Sequence, residues 1–165
     1  MHNHFELFDL PVTFNIDTEL LATRYRQIQQ VVHPDNFVSA TDKERLAALQ
    51  KTTQVNEAFQ ILKNPFTRGQ YLLELYHIDN ESLGVVKGDF LLHQIDLREE
   101  LESIKQSEQL DVLNFFTSRV DRQIQTLIAQ INQQFEQQAY QEAKQSLQQL
   151  QFFKRLYDEA MDFEI

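Results

Sequence analysis

Three observations predict an all-α fold for this 165-residue chain. Apolar residues recur every three or four positions along most of its length, the spacing that lines one face of a helix. Glycine and proline number only three each, a poor supply of the turns that strands need. Residues suited to starting helices, Asn3, Asp17, Thr41 and the pair Asn64-Pro65, stand directly before the periodic segments.

Asn3 precedes Glu6 by three residues, as in a capping box, which predicts a short helix over residues 4–10 closed by Pro11. Asp17 caps a second helix over 18–32, with Leu21, Tyr25, Ile28 and Val32 on one face. His33-Pro34-Asp35 follows at once. Pro34 disfavours helical geometry in the residue before it and has no N–H, so the helix ends near His33. Thr41 and Glu44 box the start of a third helix over 42–62, whose buried face is Ala48, Thr52, Val55, Phe59 and Leu62. Pro65 then opens a helix over 65–76, with Phe66, Leu72, Leu73 and Leu75 on its buried side.

Residues 77–88 hold two of the three glycines and little periodicity, so a linker is predicted there, between a first domain at 1–76 and a second at 89–165. Three helices follow, over 89–104, 107–135 and 138–161. Leu113, Phe116, Val120, Leu127 and Ile131 line the middle one, and Tyr140, Ala143, Leu147 and Leu150 the last. Short connections make neighbours antiparallel, giving a three-helix bundle. The glutamine-rich run near 130–151 keeps helical apolar spacing and reads as polar helix surface.

Composition narrows the function. The net charge is −10, with −2 on residues 1–75 and −8 on residues 76–165 (8 Lys and Arg against 16 Asp and Glu), which makes the second half a poor phosphate-backbone binder and favours protein partners, with acidic helix faces that simply keep the chain soluble as the competing reading. There is no cysteine, hence no disulfide framework, thiolate metal site or cysteine nucleophile. No apolar run approaches a membrane span, and Met1-His2-Asn3-His4 has neither the charged nor the apolar part of a signal peptide. A cytoplasmic protein is expected.

Two places carry functional chemistry. The first is His33-Pro34-Asp35, a turn between two helices that leaves the Asp35 carboxylate on an exposed loop, free to receive an arginine from a partner. The second is the helix beginning at Asp89. Phe90, Leu97, Leu101 and Ile104 form one stripe, while Leu91, Leu92 and Ile95 fall on nearly the opposite side, edged by Asp96 and Glu99. One helix of a three-helix bundle cannot bury both, so an exposed apolar patch rimmed with carboxylates is predicted, of the kind found at protein interfaces. Packing of the first domain onto that patch is the competing use. Phe152, off the stripe of the last helix, extends the same surface.

Catalysis has little support. His33 has no accompanying nucleophile or phosphate-binding glycine loop, and Glu99, Glu100 and Glu102 lack the Glu-x-x-His pairs of a carboxylate metal centre. Terminal histidines such as His2 and His4 usually bind nothing, and His77 and His93 read as linker and surface residues. Neither enzyme activity nor a cofactor is expected.

The loop, together with Phe5-Glu6-Leu7-Phe8-Asp9-Leu10-Pro11, Val55-Asn56-Glu57-Ala58-Phe59, Leu62, Pro65, Arg68 and Tyr71-Leu72-Leu73, resembles a J-domain. With Leu97-Arg98-Glu99-Glu100-Leu101 added, essentially the whole chain resembles the HscB family of iron-sulfur cluster assembly co-chaperones. The resemblance implies a chaperone partner of the heat-shock class, HscA, whose ATPase is stimulated through His33, Pro34 and Asp35, with Arg24 and Arg26 as the cations of the preceding helix. It implies a second partner, the cluster scaffold IscU, bound by Leu91, Leu92, Ile95, Asp96, Glu99 and Phe152 and presented to the chaperone. The resemblance implies a bacterial-type protein without its own zinc site. Two positions depart from the family pattern: Asn36 stands where a basic residue is usual, and Ser103 where a carboxylate is usual. The alternative reading is a J-protein, or a plain helical adaptor, that serves another client.

Overall fold

A computed structural model describes residues 3–78 and 88–165, so His2 and nearly all of the predicted linker lie outside the described residues. Seven α-helices are present among the described residues: α1 (His4–Leu7), α2 (Thr18–Val32), α3 (Asp42–Lys63), α4 (Pro65–Leu75), α5 (Gly88–Ser107), α6 (Leu110–Glu136) and α7 (Tyr140–Asp162). The chain divides into two compact units, Met1–Leu72 and Leu73–Ile165.

The starts obey the side-chain signals. Asn3 Oδ1 accepts from the Glu6 N–H at 2.9 Å, Asp17 Oδ1 from Glu19 and Leu20, and Thr41 Oγ1 from Glu44, each cap contributing about 1 kcal/mol. Asn64 Oδ1 accepts from Phe66 N–H at 2.8 Å just where Pro65 supplies no donor.

The ends are less conventional. α1 stops at Leu7, three residues short of the expected Leu10, because Asp9 turns left-handed (φ 53°) and Leu10 N–H reaches back to Phe5 O. His77 closes α4 and Gln138 closes α6 in the same way, while Glu108 ends α5 with one bond to Ile104 O. Glycine normally takes this role, since a side chain is strained at positive φ.

In the first unit α2 and α3 form the hairpin, and α1 packs on α3. Phe5, Phe8, Phe14, Leu21, Val55, Leu62 and Leu72 are fully buried. Tyr25 stacks on Phe59 with centroids 3.9 Å apart, and its hydroxyl donates to Asn56 Oδ1 at 2.6 Å, so one residue supplies both apolar and polar links across the hairpin. Arg68 is buried among these residues. Its Nη1 donates to Leu62 O at 2.8 Å, its guanidinium lies over Phe14, and burial pulls its pKa down to about 10. Tyr71 stacks on His4 at 4.3 Å and accepts from the His4 N–H, which ties the start of α1 to α4.

In the second unit α6 and α7 pair along their length, with α5 packed against both. The core is Leu97, Leu101 and Ile104 from α5, Leu113, Phe116, Val120, Ile124, Leu127 and Ile131 from α6, and Ala143, Leu147, Leu150, Phe153 and Leu156 from α7.

Candidate functional site

The first candidate surface is the tip of the α2–α3 hairpin. α2 stops at Val32, and residues Pro34–Phe37 make one turn of 3-10 helix. His33 caps that turn. Its Nδ1 accepts the Asp35 N–H at 3.2 Å and lies 3.5 Å from Asp35 Oδ2, so in the neutral ring the proton sits on Nε2 as a donor. The two side chains are 57% and 88% exposed. A carboxylate that open keeps its lone pairs for a partner's cation.

Three residues support the tip from within. Asn36 Nδ2 donates to Gln30 O at 2.5 Å and to Val31 O at 3.3 Å, and the Thr52 hydroxyl lies 3.2 Å from Val32 O and 2.9 Å from Ala48 O. Gln29 Nε2 donates to the Tyr25 hydroxyl at 2.6 Å. Carbonyls at a helix end have no partner inside the helix, so the Asn36 amide and the Thr52 hydroxyl supply bonds there that water would otherwise make.

The two cations of α2 differ. Arg24 donates to Phe8 O at 2.9 Å and also to Asp9 O, closing the end of α1. Arg26 is exposed, donates to Thr23 Oγ1 at 3.4 Å, and lines a shallow depression of about 310 Å³ with Gln29, Gln30 and His33. The sequence ranks them alike, and the fold does not.

The second candidate surface is the outer side of α5. Leu91, Leu92 and Ile95 are 49%, 64% and 45% exposed, and Asp96 and Glu99 beside them are exposed. The stripe Leu97, Leu101 and Ile104 of the same helix is buried. Phe152 of α7 is half-buried, edge-on to Phe90 at 5.8 Å, with the Arg98 guanidinium 5.6 Å from its centroid. Phe90 and Arg98 therefore hold Phe152 against α5, a link that the helical wheel of α7 alone does not reveal.

Ion pairs fix the orientation of α5 in the bundle. Arg98 and Lys105 both bond Glu159 of α7, Lys105 at 2.7 Å, and Arg119 of α6 bonds Glu100 at 2.7 Å. The Lys105 hydrogen bond, with help from Arg98, holds the Glu159 carboxyl below its usual range, and the same contact raises Lys105. A groove of about 350 Å³, bordered by His93, Asp96, Glu100, Arg119 and Gln123, runs beside the α5–α6 contact. Phe115, 62% exposed on α6, is a further apolar residue that periodicity does not single out.

The described partner of the His33 ring is Asp35. No helix of the described residues is long and apolar enough to cross a membrane.

Comparison with known proteins agrees with this geometry. A family model described as the HSCB C-terminal oligomerisation domain matches residues 86–161. The Co-chaperone protein HscB homolog of Aliivibrio salmonicida is 38% identical over 165 residues, covering 98% of this chain and 96% of the relative. The homolog from Vibrio atlanticus is 39% identical over 160 residues, covering 95% and 94%. Among solved structures, chaperone HscB from Vibrio cholerae superposes with a TM-score of 0.87 at 36% identity, covering 97% of this chain and 96% of that one. Human co-chaperone HscB gives 0.88 at 27% identity, covering 98% and 81%. Jac1 from Saccharomyces cerevisiae, at 20% identity and a TM-score of 0.79 with 99% and 98% covered, shares the fold. An all-α chain with a J-type hairpin, a three-helix tail and full-length relatives of this similarity belongs to the HscB family of co-chaperones.

Proposed function

We propose that the chain is a two-ended cytoplasmic adaptor: the α5 surface binds the iron-sulfur cluster scaffold IscU, and the His33-Pro34-Asp35 turn engages the chaperone HscA and stimulates its ATPase. The observation that carries this reading is the coexistence of an open apolar patch on α5 with an open imidazole–carboxylate turn after α2, neither equipped for chemistry of its own. Leu91, Leu92, Ile95, Asp96, Glu99 and Phe152 take the scaffold; His33, Pro34 and Asp35 take the chaperone, steered by Arg26, while Arg24 contributes mainly by fixing α1.

Joining the two contacts in one chain makes the second effectively intramolecular, so scaffold bound at α5 reaches the chaperone at raised local concentration. Stimulation itself requires only that the turn bind one state of the chaperone's ATPase domain better than another. The test is a chaperone ATPase titration with this protein, with and without scaffold. The expected result is stimulation by the protein alone and synergy when the scaffold is added. Stimulation without synergy, and no binding of the scaffold to the chain, would leave a J-protein serving another client.

A further inference from the structure

The position after the loop aspartate does more than lack a charge. We infer that Asn36 is a positioning residue: its amide locks the end of α2 and so fixes the turn that carries His33 and Asp35. A primary amide has two hydrogens, and here two carbonyls receive them, Gln30 O at 2.5 Å and Val31 O at 3.3 Å. Both belong to the last turn of α2, whose carbonyls have no partner inside the helix.

The two bonds close a loop of covalent structure. Asn36 sits three residues beyond His33, and its own N–H donates to His33 O at 3.0 Å, so main chain and side chain bracket the His33–Asp35 segment from one residue. Between the two anchors lie His33, whose Nδ1 caps Asp35 N–H, and the proline that starts the 3-10 turn. A fixed bracket on both sides lowers the number of conformations available to the pair before a partner arrives, which is how preorganisation aids binding. Asparagine suits the task because it is short enough to reach the carbonyls from its own turn, and it has a donor that aspartate or leucine of the same shape lacks. The Thr52 hydroxyl adds a weaker brace at Val32 O, sharing its single hydrogen with Ala48 O.

This inference rests on the chaperone reading for its functional half only. The full-length Asn36→Leu variant, a neutral isostere with no donor, is compared with Asn36→Asp, which also lacks the donor and adds a charge. Amide exchange at Asp35 through Val38 is expected to speed up about tenfold in both, the loss of one capping interaction. Maximal chaperone stimulation should fall about fivefold or more in both, with a smaller change in the half-saturating concentration, and equally at about 0.05 M and about 0.5 M salt, because a lost position, unlike lost steering, is not screened. Unchanged exchange in Asn36→Leu would overturn the inference. So would a loss confined to Asn36→Asp at low salt, which would make the position purely electrostatic. If His33→Gln still stimulates the chaperone, the chaperone reading fails, yet the exchange result stands or falls separately.

Discussion

The turn after α2 and the outer face of α5, the two surfaces proposed for recognition, are built in opposite ways. The turn is a few residues, held by hydrogen bonds from Asn36 and braced by Thr52, that present one imidazole and one carboxylate. The α5 face has no built-in polar geometry and presents area: Leu91, Leu92 and Ile95 beside two carboxylates and a braced phenylalanine. A site made of position fails when a single atom moves. A site made of area loses binding in proportion to what is trimmed. Substitutions in the two regions should therefore differ in kind.

The largest effect is expected at the turn. His33→Gln should abolish stimulation of the chaperone ATPase while leaving thermal unfolding unchanged, because the side chain is more than half exposed and its described bonds are to Asp35, two residues on. A melting curve and a stimulation assay on one preparation check both halves. Next comes Leu92→Ala combined with Ile95→Ala. A buried leucine or isoleucine is worth about 1.5–3 kcal/mol, and about half of each side chain remains to be covered, so roughly 2 kcal/mol, or about thirtyfold in scaffold Kd, should be lost. Stimulation without scaffold should stay unchanged. Calorimetric titration with the scaffold measures the first, and normal affinity in the double variant would break the contrast.

Smaller effects test the frame that holds α5. The Glu159 carboxyl is depressed in the folded state, so its contribution to stability is present above the ordinary carboxylate pKa and disappears as pH falls through the lower folded value. Because Glu159 is about one-third exposed (36%), water screens the pairing with Lys105 and Arg98, and Glu159→Gln should cost only about 0.5–1 kcal/mol near neutrality. The difference between the two proteins should shrink in acid, as followed by urea unfolding against pH. The smallest change is a gain: Gln138→Gly relieves a left-handed glutamine (φ 58°) after α6 and should add up to about 1 kcal/mol of stability without affecting either partner.

Much of this was legible in the chain. Capping residues and apolar spacing located the helices because both signals act locally: Asp17 caps from its own turn, and Leu113 to Ile131 need only the helical repeat to share a face. The two-sided pattern of α5 likewise separates Leu97 and Leu101 from Leu92 and Ile95, because it too needs only the helical repeat. What stayed hidden depends on residues far apart or on backbone the residue type does not announce. Arg24 is indistinguishable from Arg26 until Phe8 and Asp9 are placed beside it. Nothing local in the sequence marks Arg68 as buried; that follows only from Leu62 and Phe14, which the fold places around it. Asp9, His77, Glu108 and Gln138 end helices where glycine would have signalled the stop. Asn36 shows in the sequence only as an absent positive charge, and its bonds to Gln30 and Val31 are a property of the folded turn.

If two separate surfaces of one chain act together, chaperone ATPase rate against added protein, with and without scaffold, must reveal it. Synergy is expected in the unaltered chain, no synergy but intact basal stimulation in the Leu92→Ala and Ile95→Ala double variant, and neither in His33→Gln. Synergy that survives the double variant, with scaffold still bound, would contradict it.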